Sequence, residues 1–202
     1  MMIAIVDYGA GNLFSVKNAC DFLSLETVAT SEATMLEAAD GIILPGVGAF
    51  PDAMKMLHAT GLLPIIKAQA KKKPLLGICL GMQILFDYGT EFERCDGLGL
   101  IPGYVDLLPC KELKLPQIGW NSLTMHQPSP ILADTQEGDY VYFVHSFGAV
   151  CDAQYILAST EYGCKIPALV RNKNVFGAQF HPEKSGEVGL NMLKNFGKLV
   201  AK

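Results

Sequence analysis

Long apolar runs are missing from this sequence. None reaches the roughly 18 residues that a membrane-spanning helix needs, so no membrane-spanning helix is expected. The start, MMIAIVDYGAGN, lacks the basic region and extended apolar core of a secretory signal, and a cytoplasmic chain is the expectation. Positive charge is also scarce. Sixteen lysines and arginines stand against 20 acidic residues, a net charge of −4 that offers nucleic acid no basic face. The one cationic run, Lys71-Lys72-Lys73, reads as a solvated helix end. The six cysteines, at 20, 79, 95, 110, 151 and 164, include no C-x-x-C and no regular spacing. Reduced thiols are therefore expected rather than a disulfide framework. The four histidines lie far apart and none stands at ligand spacing from a cysteine, so no metal site is expected.

What remains is the composition of a packed protein. Half of the 202 residues are hydrophobic and 18% are charged, enough for one domain with a sizeable core and short for two. The first half alternates strand-like and helix-like segments. Met2–Asp7 (MIAIVD) is an apolar run ending in a glycine-rich turn, after which Leu13, Val16, Cys20 and Leu23 recur at helical spacing. Gly41–Gly46 (GIILPG) is a second run, stopped by its proline and glycine. Helices are expected over Pro51–His58 and Leu62–Lys72. Pro74–Cys79 is the third run, and LGMQILFDYG reads as a helix that starts after Cys79 and ends by Gly89. Continuous apolar strands that each feed a helix suggest a parallel sheet covered on both faces. From about Gly97 to Tyr155 short strands and loops take over, among them YVYFVHSF (Tyr140–Phe147). ALVRNKNVFGAQFHPE then reads as two strands joined by a tight turn at Asn172-Lys173-Asn174. GEVGLNMLKNFGKLVAK closes the chain as an amphipathic helix, with Val188, Met192, Leu193, Phe196 and Val200 on one side.

Two glycine pairs, Gly9-Ala10-Gly11 and Gly46-Val47-Gly48, fall short of the dinucleotide fingerprint, because Phe14 and Pro51 stand where the third glycine belongs. Gly77-Ile78-Cys79-Leu80-Gly81 differs in kind. A strand, then glycine-x-nucleophile-x-glycine, then a helix is the pattern of a nucleophile elbow, here with cysteine in the serine's place. The glycines let neighbouring backbone pack around a sharp turn that presents the thiol. The new helix sets unpaired N–H groups beside the sulfur, and the N–H of Leu80 is placed to donate to an oxyanion. For this pentapeptide alone an inert core thiol is an equal alternative, since free cysteine is among the most buried residue types.

A nucleophilic thiol needs a base, and the base an orienting group. His58 falls on an expected helix and His126 in a loop, both surface positions; His145 sits in an apolar strand, as a core or pocket-wall residue. His181 is followed by Pro182 and Glu183. If the strand stays extended there, His181 and Glu183 project to the same side, so the carboxylate can hold one ring nitrogen while the other faces the thiol. Pro182, without an N–H, suits the point where the strand leaves the sheet. Cys79, His181 and Glu183 together point to acyl transfer through a thioester.

GICLGMQ with a distant QFHPE resembles the class-I, triad-type glutamine amidotransferases, which take ammonia from the side-chain amide of glutamine. YGAGN, LPGVGAF, LLGICLGMQILF, IGWN, YFVHS and GAQFHPEKSG run in matching order from Tyr8 to Gly186. They are most similar to the branch that supplies glutaminase subunits to imidazole glycerol phosphate synthases, in histidine biosynthesis. The resemblance implies a single flavodoxin-like α/β domain over residues 1–202, with a mainly parallel central sheet, helices on both faces and additional antiparallel strands in the second half. It implies Cys79 as nucleophile, His181 as base and then acid, and Glu183 as its orienting partner. Gly46, Val47, Gly48 and Leu80 would border the oxyanion and substrate. Gln83 would contact glutamine, and Ser146 and Phe147 would offer backbone groups to its amino-acid end, although Gln83 as a plain helix residue and Phe147 as core stay open. No metal and no organic cofactor are implied. The implied partner is a (βα)8-barrel cyclase in a heterodimer, faced by Asn12, Trp120, Asn121, Lys184 and Ser185. The PGVG turn, where relatives such as the anthranilate synthase subunit carry GPG, implies low glutaminase activity until that partner docks. A paralogous subunit serving another synthase, and a γ-glutamyl cysteine hydrolase of the same fold, stay open as alternatives.

Overall fold

In the computed structural model, which describes residues 1–110 and 113–201, the first half is a run of alternating strands and helices. β1 (Ile3–Val6), α1 (Leu13–Phe22), β2 (Thr27–Thr30), α2 (Ala33–Ala38) and β3 (Gly41–Gly46) come first. They are followed by α3 (Phe50–Ala59), α4 (Leu63–Gln69), β4 (Leu75–Cys79) and α5 (Leu80–Gln83). Short strands then dominate: β5 (Tyr88–Gly89), β6 (Cys95–Asp96), β7 (Tyr104–Leu107), β8 (Gln117–Ser122) and β9 (Thr124–Met125). The chain ends with β10 (Tyr140–His145), β11 (Phe147–Val150), β12 (Ile156–Glu161), β13 (Lys165–Asn172), β14 (Val175–Ala178) and α6 (Gly186–Val200). Lys202, the last residue of the expected closing helix, lies outside the described residues.

The main sheet has the order β2-β1-β3-β4-β14-β13-β12-β9. Pairing is parallel from β2 across to β14 and antiparallel beyond it. The continuous apolar runs are explained by burial on both sides of this sheet. Ala4, Val6, Ile42, Leu44 and Leu75 face a core shared with Leu36 of α2, Leu57 of α3 and Ile66 of α4. Ile3, Ile5, Ile43, Leu76 and Ile78 face the opposite core, shared with Val16 and Cys20 of α1 and with Met192, Leu193 and Phe196 of α6. The period-two alternation thus sends neighbouring residues of one strand into two different cores. β10 pairs with β8 as a two-stranded ribbon, and β11-β7-β5-β6 form a third, small sheet. Among the described residues, no helix is long and apolar enough to cross a membrane.

Two expectations need correction, and two elements were not anticipated. The helix after Cys79 is a single turn rather than one reaching Gly89. The carbonyls of Ile84, Leu85 and Phe86 accept instead from the N–H groups of Leu98, Leu100 and Gly99, so tertiary backbone bonds replace the helical ladder. The edge strand β2 and short α2 carry too few apolar residues to stand out in the sequence; each buries one side chain, Thr30 and Leu36. Lys73 does not end in solvent like its neighbours. Its Nζ donates to the carbonyls of Leu36 (3.2 Å), Glu37 (2.8 Å) and Ala39, and so closes the carboxyl end of α2.

Equilibrium urea unfolding is expected to separate the three lysines. Lys73→Met should cost about 1–3 kcal/mol, because it orphans carbonyls at a helix end, whereas Lys71→Met and Lys72→Met should stay within about 0.5 kcal/mol. Equal effects at all three positions would refute the capping role.

Candidate active site

Parallel pairing of β4 with β3 on one side and β14 on the other ends three strands at one edge of the sheet. In open α/β sheets this carboxyl edge is where ligands bind. At it, Cys79 holds φ 54° and ψ −113°, a left-handed backbone that costs a non-glycine residue about 1–3 kcal/mol. The two flanking glycines account for how the turn is held. A Cβ on Gly77 would lie 2.6 Å from the carbonyl oxygen of Gly81, and one on Gly81 would lie 1.8 Å from that of Leu44 in β3. Strand, turn and helix start are therefore in backbone contact, and no side chain fits between them. Cys79 is 7% exposed, so its thiol opens onto a cleft and not onto bulk solvent.

β14 runs out at Ala178, and the next residues bend toward that same edge. Pro182–Lys184 form a 3₁₀ turn, which corrects the expectation of an extended His181–Glu183 segment. The contact between the two side chains arises from that turn. His181 Nδ1 lies 2.8 Å from Glu183 Oε1, with both side chains almost completely buried. Ser185 fixes the turn from below: its hydroxyl donates to the His181 carbonyl (2.6 Å) and accepts from the N–H of Tyr142 in β10 (3.0 Å). The N–H of His181 in turn donates to the Tyr142 carbonyl at 3.0 Å.

Burial alone would lower the pKa of His181, but the Cys79 sulfur and the Glu183 carboxylate more than reverse that and raise it to about 9. Nε2 has no closed hydrogen bond within the protein, so the influence of the sulfur acts across an open contact. A thiol and an imidazole whose other nitrogen is held by a carboxylate can exchange a proton and attack a carbonyl carbon. Among the described residues, no group of three or more His, Cys, Asp and Glu is arranged to hold a metal ion.

The cleft measures about 270 Å³, just below the usual range for drug-sized ligands and in keeping with a small one. It brings Cys79, Leu80, Gln83, Ser146, Phe147 and His181 together with Val47 and Gly48; Gly46, paired with Cys79 at the end of β3, sits behind them. Gln83 is buried, and its Nε2 donates to the Phe147 carbonyl (2.8 Å) and to Gln179 Oε1 (3.0 Å). The Ser146 carbonyl accepts from Leu108 and the Phe147 carbonyl also from His145, so of the backbone groups expected to meet a ligand there the two carbonyls are already engaged.

Three buried residues at the site were not singled out as site residues from the sequence. His145, left open between core and pocket wall, lines the cleft; burial pushes it down to about 4, which keeps it neutral. Its Nδ1 faces the Phe147 carbonyl and therefore donates, so Nε2 is an acceptor without a partner. Gln179, fully buried, places its Nε2 3.9 Å from the Cys79 sulfur. Tyr8 is 3% exposed, and its hydroxyl has no partner. Its pKa is raised by burial and then by Cys79. The glutamine of GAQFHPE and the tyrosine of DYGAGN were visible signals, but neither residue type announces a role by spacing.

The residues expected to face a partner divide. Trp120 is half exposed on the β8–β10 ribbon, edge-on to Tyr142, and Lys184 is exposed at the cleft. Exposed Ile118 and Tyr140 extend this face. Asn121 is partly buried and donates to the Glu161 carbonyl (3.2 Å), while Asn12 Oδ1 accepts from the N–H of Ser15 (3.2 Å) at the start of α1. Ser185 is corrected outright. At 1% exposure, with its hydroxyl spent on the turn, it cannot touch a partner in this conformation.

A family model described as glutamine amidotransferase class-I matches residues 5–199. The chain is 48% identical over 201 residues to a Listeria monocytogenes serotype 4a protein called imidazole glycerol phosphate synthase subunit HisH, covering 98% of this chain and 96% of that one. It is 50% identical over 203 residues to the protein of the same name from Caldanaerobacter subterraneus subsp. tengcongensis, covering 98% of each. A crystal structure of a glutamine amidotransferase superposes with a TM-score of 0.77 at 19% identity, over 98% of this chain and 99% of that one.

The ring of His181 is expected to titrate near 9 by NMR, and to fall back toward 6.5 in Cys79→Ala and in Glu183→Gln. The sign for stability follows. A pKa raised in the folded state stabilises fully below about 6.5, and that contribution is lost as pH rises through about 9. Glu183→Gln should therefore flatten the decline in stability across that window, and a wild-type ring that titrates at or below 6.5 would contradict the arrangement.

Proposed function

The chain belongs to the class-I glutamine amidotransferase family, and from that membership we propose that it is the glutaminase subunit of an imidazole glycerol phosphate synthase. The observation that carries the chemistry is the cleft itself, where a thiol on a strained elbow and a carboxylate-held imidazole line one wall. Relatives nearly half identical over almost the whole chain support the choice of synthase over other amidotransferases.

In the proposed cycle His181, raised to about 9, already holds the proton of Cys79 near neutral pH, and the Cys79 sulfur attacks the side-chain amide carbon of glutamine. His181, as imidazolium, protonates the departing nitrogen, and ammonia leaves a γ-glutamyl thioester. Glu183 keeps Nδ1 as a donor and stabilises the imidazolium as it forms, so Nε2 alone handles the proton. The tetrahedral oxyanion meets backbone N–H groups at Leu80 and along Gly46–Gly48, each such donor typically worth about 3–4 kcal/mol. Water, deprotonated by His181, attacks the thioester, and release of glutamate restores the starting pair of Cys79 sulfur and protonated His181. The thiol and imidazole close the proton balance without a cofactor. Gln83, Ser146 and Phe147 bound the amino-acid end as cleft wall.

Free ammonia would be protonated in open water, so it is delivered within a complex. The proposed acceptor is a (βα)8-barrel cyclase that forms imidazole glycerol phosphate and aminoimidazole carboxamide ribotide. The exposed Trp120, Ile118 and Tyr140, with Lys184 exposed at the cleft, supply a docking face for the cyclase. The whole chain acts as one amidotransferase domain of a cytoplasmic heterodimer.

A glutaminase assay with and without the cyclase tests this. Wild type should gain strongly from the cyclase; Cys79→Ala and His181→Asn should lose at least about 10³-fold, and Glu183→Gln about 10²–10⁴-fold. Unchanged activity in Cys79→Ala would sink the mechanism, and full activity without the cyclase would sink the coupled subunit.

A further inference from the structure

Apart from Cys79, two thiols hold a geometry that packing alone does not ask for. Cys110 follows β7, Cys164 begins the return leg of the β12–β13 turn, and their sulfurs lie 3.0 Å apart although the residues are 54 positions distant in sequence. Both sides of the contact are fixed. The Cys110 sulfur donates to the Tyr162 carbonyl at 2.7 Å, the Tyr162 N–H donates to the Cys164 carbonyl, and the Tyr162 hydroxyl donates to the Lys114 carbonyl at 2.8 Å. Leu108, Cys110 and Ile166 form a small core of their own beneath it. Cys110 is buried, whereas Cys164 is half-buried and reachable from solvent. No other cysteine pair among the described residues is in such contact.

We propose that Cys110 and Cys164 are a thiol–disulfide exchange site, at which a small-molecule disulfide of the glutathione type oxidises the pair to an intramolecular disulfide. Cys164, as thiolate, attacks one sulfur of glutathione disulfide and expels a glutathione thiolate, leaving a mixed disulfide. Cys110, as thiolate, then attacks the Cys164 sulfur and expels the second glutathione. The protein loses two electrons and two protons, and one glutathione disulfide becomes two glutathione thiols. Closing an S–S bond from the observed contact takes about 1 Å of movement, within reach of side-chain rotation. Burial and the hydrogen bond to Cys110 raise the pKa of Cys164, which makes the exchange slow, on the scale of minutes to hours. The disulfide fastens the connection after β7 to the β12–β13 turn. β7 pairs with β11, the strand that begins with the cleft residue Phe147, so the tie lies two elements from the site without entering it.

The test uses the full chain carrying Cys79→Ala, so that the reactive thiol does not compete, incubated with mixtures of reduced and oxidised glutathione. Peptide mapping should find Cys110 joined to Cys164 as the oxidised fraction rises, with free thiols under denaturant falling from five to three, and reduction should reverse both. The oxidised form should melt about 5–15 °C higher, by the loop-closure expectation for a bridge of this span. Cys164→Ser in the same background should abolish the cross-link and the shift. Glutathione adducts without a Cys110–Cys164 peptide, or a cross-link to any other cysteine in its place, would overturn the proposal; the mapping is decisive even if the serine variant fails to fold.

Discussion

The backbone of Cys79 is forced into a left-handed conformation by atoms that leave it no alternative. Gly81 approaches the Leu44 carbonyl so closely that a single methyl group would overlap it, and Gly77 is pressed against Gly81 in the same way. A strained residue persists only where its surroundings over-determine it, and here the constraint is set by sheet register. β3 and β4 must end together, with Gly46 opposite Cys79, for Leu44 to meet the elbow. Shift that register by one residue and both the contact and the direction of the thiol are lost. The site is thus a property of the sheet before it is a property of any side chain.

The second half of the site depends on a different kind of constraint. His181 lies beyond the last ladder bond of β14, where nothing in the sheet would orient it. Three hydrogen bonds to β10 and Ser185 do so instead, and Glu183 then fixes the ring. His181, Ser185 and the Glu183 side chain are buried, where hydrogen bonds are strong and an unpaired group is costly. The contrast with Cys79 is physical. Backbone packing holds the nucleophile, whereas a satisfied polar network holds the base, so the two halves fail in different ways when disturbed.

Much of this was legible in the sequence because it rests on short-range chemistry. The three apolar runs MIAIVD, GIILPG and PLLGIC are buried on both sides and so need no polar residues, and each is a parallel strand of the sheet. Gly77 and Gly81 around Cys79 mark a turn that no other residue tolerates. What escaped was set by distant partners. The helix after Cys79 ends early because residues 98–100 claim its carbonyls, and Lys73 is drawn in by α2, some 35 positions upstream. The 3₁₀ turn at Pro182 reached the expected His181–Glu183 contact by another geometry, so the pairing was readable and its cause was not. Likewise, no spacing rule connects Gln179 to Gln83, which meet because β14 pairs in parallel with β4, or Cys110 to Cys164, which meet at the turn of the antiparallel β12–β13 pair.

The position of β14 has a consequence for how the chain is made. It lies between β4 and β13, yet it is the last strand synthesised, so β4 is an open edge of the parallel half while the next hundred residues emerge. An apolar edge without a partner is a hazard for mispairing and aggregation during that interval. The same delay means that a truncated or half-folded chain possesses the thiol without its base. Reactivity arrives together with the strand that closes the sheet, and completion of folding and competence for chemistry become one event.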